Sequence, residues 1–233
     1  MLYYGNWKLN KIRKDVIEYF DVFNQLKTNE NICFFVSPTL IQTAVEKSNF
    51  SIGAQNVCVA EHGAFTGETS ISQILDLKCK SVLIGHSERR SKFFENDGVV
   101  SKKIALCSPS VECVLCVGET REQLSEKYNV LEQQLYTALQ DVERQYLKNI
   151  IIAYEPVWAI GTGLTPCASE IQESINFIKS RLKSKYEANF KVLYGGSVNS
   201  ANIVEFKKIK NIDGFLIGGA SLDAKNFMEI IKA

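Results

Sequence analysis

The sequence has 233 residues, 45% hydrophobic and 23% charged, which excludes disordered, collagen-like and low-complexity chains and suffices for one large core or two small ones. Its 27 basic and 26 acidic side chains leave a net charge of +1, so no bulk field draws in nucleic acid, membrane lipid or other polyanions, and a bound anion needs a local site. No apolar leader opens the chain, no run nears the roughly 18 apolar residues of a membrane span, and an odd count of seven cysteines fits reduced thiols, so the expectation is a soluble cytoplasmic protein.

Short apolar, β-branched or aromatic runs fall at residues 2–7, 32–37, 51–55, 81–85, 112–117, 150–154, 191–194 and 214–217. They recur about every thirty residues, the length of one strand-helix-strand unit. Most are continuous rather than alternating, as parallel strands buried on both faces should be. Between them, residues 16–27, 40–47, 70–77, 97–106, 121–144, 168–185, 201–208 and 224–231 read as helices. Ile171, Ile175, Ile178 and Leu182 form an apolar stripe in the sixth of these, and Leu124, Leu131, Leu135 and Leu139 do so in the fifth. No linker or composition break divides the chain. Eight strands alternating with eight helices predict a single-domain α/β chain, a (β/α)8 TIM barrel over residues 1–233, in preference to an open doubly wound sheet.

A barrel of this kind works at the C-terminal ends of its strands, so the polar residues after each run carry the functional reading. After the first run, Asn6 and Lys8 fall on one side if the strand's alternation continues. That Lys could neutralise an anion or simply face solvent. The fourth ends in Gly85-His86-Ser87-Glu88-Arg89-Arg90, where a helical turn starting after His86 would disfavour the imidazolium. His62 has no comparable context. The sixth run ends in Glu155-Pro156-Val157-Trp158-Ala159-Ile160-Gly161-Thr162-Gly163, a carboxylate beneath an apolar flap that should raise its basicity by desolvation. The seventh and eighth end in Gly195-Gly196-Ser197 and Gly218-Gly219-Ala220-Ser221, two glycine pairs placed to cradle a phosphate on backbone amides, each leading into a helix. Cys113 and Cys116 have CxxC spacing, yet on a strand residues three apart face opposite sides. With two histidines and no carboxylate cluster, no metal is expected, and the absent GxGxxG argues against a nicotinamide site.

Taken in order, Asn6-Trp7-Lys8, the 85–90 segment, the 153–163 segment, Tyr194-Gly195-Gly196-Ser197-Val198 and Gly218-Gly219-Ala220-Ser221-Leu222 resemble the triosephosphate isomerase family over the whole chain. The resemblance implies interconversion of dihydroxyacetone phosphate and D-glyceraldehyde 3-phosphate through an enediolate, a step of glycolysis and gluconeogenesis, with no cofactor. It implies Glu155 as the base, His86 as a neutral electrophile, and Lys8 and Asn6 as stabilisers of the oxyanion. Ser87 and Glu88 would support them, with Cys116 packed near the base. The phosphate would lie on Gly161, Ser197, Gly218 and Gly219, beneath a lid of residues 156–166. Residues 51–56 and 63–68 resemble the family's subunit interface, which implies a homodimer through Gln55, Asn56 and Thr66. The chain departs from the family pattern at Leu164-Thr165-Pro166, where Pro166 stiffens the lid's second hinge. The rival readings are another sugar-phosphate isomerase, epimerase or aldolase-type lyase, and a non-catalytic phosphate-binding barrel, which would need neither Glu155 nor His86.

Overall fold

A computed structural model describes residues 1–160 and 164–233. Among the described residues, β1 (Leu2–Asn6), β2 (Asn31–Val36), β3 (Ser51–Ala54), β4 (Ser81–Ile84), β5 (Glu112–Val117), β6 (Ile150–Tyr154), β7 (Lys191–Tyr194) and β8 (Gly214–Ile217) pair in sequence order. Every pairing is parallel, and β1 closes the barrel on β8 with Leu2 opposite Gly214 and Gly5 opposite Ile217. The strands lie where the apolar runs predict them.

Alternation along the strands divides the core in two. Leu2, Tyr4, Cys33, Phe35, Leu83, Val114, Cys116 and Leu216 belong to the cluster enclosed by the barrel. Tyr3, Phe34, Cys113, Leu115 and Phe215 belong to the larger cluster between the barrel and its helices. Cys113 and Cys116 therefore fall into different clusters, as the period of two requires.

The helices are α1 (Arg13–Phe23), α2 (Ile41–Lys47), α3 (Ile71–Asp76), α4 (Ser87–Lys92), α5 (Asp97–Cys107), α6 (Lys127–Leu139), α7 (Ala168–Tyr186), α8 (Ile203–Phe206) and α9 (Ala224–Lys232). The α7 stripe is as expected, with Ile171, Ile175, Ile178 and Leu182 all fully buried. The long helix expected over 121–144 is not continuous. Thr120 N–H is capped by Gln123 Oε1 at 3.0 Å, and Arg121–Glu126 winds as a 3-10 helix before α6 begins. Three residues per turn instead of 3.6 throws Leu124 off the stripe, and it is 44% exposed while Leu131, Leu135 and Leu139 are buried. Helix α1 starts at Arg13 rather than 16, because the Asp15 carboxylate accepts from Ile12 N–H at 2.8 Å. The helix expected over 201–208 shrinks to the four residues of α8. Among the described residues no helix is long and apolar enough to cross a membrane.

Candidate active site

At the C-terminal ends of the strands, Asn6, Lys8, His86, Glu155, Gly195, Gly196, Ser197, Gly218 and Gly219 line one cavity of about 340 Å3. Each enters it for a local reason. Asn6 is the last residue of β1, whereas Lys8 lies beyond the strand in the left-handed region with φ +51°. The Asn6 carboxamide oxygen accepts from Lys8 N–H at 3.0 Å and holds that turn. Strand alternation thus does not place Lys8; a capped turn does. Its ammonium donates to Glu88 Oε1 at 2.8 Å.

His86 follows Gly85, whose φ of +72° turns the chain out of β4. Arg90 holds that turn by donating to the Gly85 carbonyl at 2.8 Å while its other arm pairs with Asp97 at 2.6 Å. The imidazole caps α4: its Nδ1 faces Glu88 N–H at 3.2 Å and its Nε2 faces Glu155 Oε1 at 3.1 Å.

Glu155 follows β6 and is 2% exposed. Its N–H donates to the Val117 carbonyl at 2.7 Å, and its backbone lies so close to Gly118 that a Cβ there would stand 1.6 Å from the Glu155 carbonyl oxygen. Gln134 of α6 brackets Gly118, accepting from its N–H at 2.8 Å and donating to its carbonyl at 3.1 Å. Glu155 Oε2 accepts from Ser87 N–H at 3.0 Å. The expectation that burial makes this carboxylate more basic is corrected here. Burial does push its pKa up, but His86, the Ser87 N–H and Lys8 together pull it further, so the net direction is down. For His86 burial and Lys8 lower the pKa, and the carboxylates of Glu155 and Glu88 raise it more. Cys116 is fully buried, its thiol pushed well up by burial and then by Glu155, as a packing residue should be.

The rim after β7 and β8, where the sequence expects a phosphate, is also assembled from separate loops. The Ser197 hydroxyl donates to the Ala159 carbonyl at 3.1 Å. A Cβ built on Gly218 would stand 3.4 Å from Lys8 Cε, and one built on Gly219 would meet nothing within 4 Å. The glycine pairs do not lead straight into α-helices. Gly219–Ser221 forms a 3-10 turn, and α8 starts only at Ile203. Gly161 falls outside the described residues, as does part of the expected lid. Gln55 Nε2 donates to the carbonyls of Lys8 and Phe35 at 2.9 and 3.0 Å, and Asn56 Oδ1 accepts from Lys103 Nζ at 2.7 Å. Thr66 sits in an exposed stretch, residues 61–68.

The sequence of this chain matches the family described as Triosephosphate isomerase over residues 1–233. The chain belongs to the triosephosphate isomerase family. It is 39% identical over 241 residues to the triosephosphate isomerase of Saccharomyces cerevisiae, covering 98% of this chain and 96% of that one. The triosephosphate isomerase of Zygosaccharomyces bailii is 40% identical over 241 residues with 98% and 96% covered, and that of Alkaliphilus oremlandii is 37% identical over 243 residues with 98% and 97% covered.

Against this family assignment, one residue the strand-end reading passed over stands out. Glu119 is fully buried, and its Oε1 accepts from Trp158 Nε1 at 2.9 Å and from the Tyr154 hydroxyl at 3.1 Å. Its backbone carbonyl accepts from Val157 N–H at 3.0 Å. It anchors the segment that leaves Glu155. The signal was available: Gly118-Glu119 follows the fifth apolar run as the other polar residues follow theirs.

Proposed function

We propose that this chain interconverts dihydroxyacetone phosphate and D-glyceraldehyde 3-phosphate, with Glu155 as the proton-transferring base. The observation that carries the reading is a buried carboxylate in contact with a backbone-capped imidazole at the floor of a cavity whose far wall is glycine backbone. Glu155 takes the proton from the carbon next to the carbonyl and returns it to the neighbouring carbon. His86, with Nδ1 occupied by a backbone donor, offers Nε2–H to the substrate oxygens. The contact that raises its pKa most is Glu155 itself, and that contribution leaves as the carboxylate turns to the substrate. Lys8 and Asn6 meet the charge that develops on the enediolate, and Glu88 and Ser87 hold Lys8 and the resting Glu155. Ser197, Gly218, Gly219 and Gly161 receive the phosphate. The chemistry moves one proton within one substrate and calls on no cofactor.

The same reading includes a homodimer. A second cavity of about 410 Å3 opens beside Lys8, walled by Ser37, Gln55, Glu88 and Phe93 among others. Leu9, Ile12 and Phe94 nearby in the chain stand 96%, 66% and 84% exposed. The exposed 61–68 stretch of a second copy, with Thr66, would cover such a surface, and Gln55 and Asn56 stiffen its wall. A sedimentation mass of one chain at micromolar concentration would refute it. The six buried free thiols fit a reducing, cytoplasmic setting.

A coupled assay of glyceraldehyde 3-phosphate conversion, on metal-stripped protein, tests the function. Turnover should persist without metal and fall about 10²- to 10⁴-fold in Glu155→Gln, the range a positioned general base supplies. Unchanged turnover in a folded Glu155→Gln would overturn the assignment.

A further inference from the structure

The loop that carries Lys8 is fastened to the segment after β8 by a residue with no part in the proposed chemistry. Lys11 lies in the left-handed region at φ +71°. Its ammonium donates to the Leu222 carbonyl at 2.8 Å, standing 4.9 Å from the centroid of the Trp7 ring and 4.6 Å from that of Tyr19. The Tyr19 hydroxyl donates to the preceding carbonyl, Ser221, at 2.9 Å. Asn226 Nδ2 donates to the Ala220 carbonyl at 2.9 Å. The Gly219 carbonyl accepts from Leu222 N–H at 3.1 Å, and that of Gly218 from Ser221 N–H at 2.9 Å and the Ser221 hydroxyl at 2.7 Å.

All five carbonyls of residues 218–222 are therefore held by donors, and Lys11, Tyr19 and Asn226 are not among the residues that line the cavity. This matters because a cradle of peptide groups binds an anion only while its oxygens stay turned away from it. Two successive glycines offer little intrinsic resistance to a peptide rotating. The Lys8 loop meets the segment at Leu222 through Lys11, and at its other end a Cβ on Gly218 would already stand 3.4 Å from Lys8 Cε.

We propose that Lys11 is a positioning residue for the substrate's phosphate group: by holding the Leu222 carbonyl it fixes the 218–222 backbone in its anion-receiving orientation and in register with Lys8. The inference rests on the triose phosphate reading for the identity of the ligand's phosphate end alone.

Its test titrates inorganic phosphate calorimetrically into the unmodified protein, Lys11→Met, Lys11→Arg and Tyr19→Phe, and assays isomerisation in each. Methionine keeps an apolar stem against the two rings and removes the donor. Lys11→Met should weaken phosphate binding about five- to tenfold and raise KM by the same factor with kcat within about twofold, and Lys11→Arg should restore most of the affinity. Tyr19→Phe should give a smaller loss in the same direction. Unchanged phosphate affinity in folded Lys11→Met, a fall in kcat with KM constant, or a loss that arginine does not repair would each overturn the proposal. Should Lys11→Met fail to fold, unchanged phosphate affinity in Tyr19→Phe would do so. If the unmodified protein binds no phosphate, the triose phosphate reading falls with it; Lys11-independent phosphate binding removes this inference alone.

Discussion

Replacing Gly195 by alanine perturbs the proposed base without touching its chemistry. A Cβ at that position would stand 2.9 Å from Glu155 Cγ, 3.4 Å from the Tyr154 carbonyl oxygen and 3.6 Å from Glu155 Oε1. Carbon atoms in contact prefer about 3.5–4.0 Å, so the Glu155 side chain must retreat by roughly 0.6–1 Å. The Tyr154 carbonyl cannot share the move, because it accepts from Gly195 N–H at 2.8 Å within the barrel wall. The retreat comes from a carboxylate already fixed at both oxygens, by Ser87 N–H at 3.0 Å and His86 Nε2 at 3.1 Å. A misplacement of about 1 Å in a reacting group costs on the order of 10²-fold, near 2.7 kcal/mol of barrier, whereas the overpacking itself costs about 1–3 kcal/mol of stability. The coupled isomerase assay should show kcat/KM down by about two orders of magnitude in a protein that still unfolds cooperatively in urea. Gly219→Ala is the comparison, since its Cβ meets nothing within 4 Å and should act on KM. If Gly195→Ala keeps kcat/KM within about threefold, the base works from a place this methyl group does not reach, and the argument from its resting position fails.

Glu119→Leu should destabilise the fold by about 2 kcal/mol or more, because the Trp158 indole N–H and the Tyr154 hydroxyl lose a buried acceptor; urea midpoints measure it, and a change below about 0.5 kcal/mol would show that these bonds hold nothing. Stability should also depend on pH through the His86–Glu155 pair. Glu155 titrates below its ordinary 4.5 in the folded protein, so its contribution is complete above about 4.5 and fades as pH falls through the folded value; His86 is raised from 6.5, so its share is complete below about 6.5 and fades as pH rises through its folded value. The stability of the unmodified protein relative to Glu155→Gln should therefore shrink toward both acid and alkaline pH, and a difference that stays flat from about pH 3 to 9 would contradict the pairing.

The barrel was legible because parallel strands buried on both faces leave continuous apolar runs, and β5, β6, β7 and β8 match theirs residue for residue. That Asn6, His86, Glu155 and Ser197 line one cavity was legible for a related reason: a barrel gathers its strand ends at one rim, so these residues could be nominated together without knowing any distance between them. What could not be read depends on approach through space. Alternation suggested the right side for Lys8 for a wrong reason, since a left-handed residue capped by Asn6 turns it inward. The break before α6 falls at Glu126, whose φ of −115° and ψ of 18° leave helical geometry, a local turn that the leucine spacing does not encode. Gly118 looks like any strand-end glycine until the Glu155 carbonyl is found where its side chain would be.

The direction of the Glu155 shift unites these particulars. Desolvation alone would push the buried carboxylate toward its protonated form, which could not accept a proton from carbon. The contacts with His86, Ser87 N–H and Lys8 outweigh that penalty and keep it ionised at rest. On the proposed reading, leaving the Ser87 N–H and the imidazole for the substrate carbon strips away most of what lowers its pKa while burial persists. The carboxylate thus meets the substrate as a stronger base than it was at rest. Gly118 and Gln134 fix the backbone about which the side chain turns, and Glu119 fixes the segment beyond it. A structural frame this rigid around a single side chain confines the movement to the carboxylate, and it is why a methyl group at Gly195 should be felt so strongly.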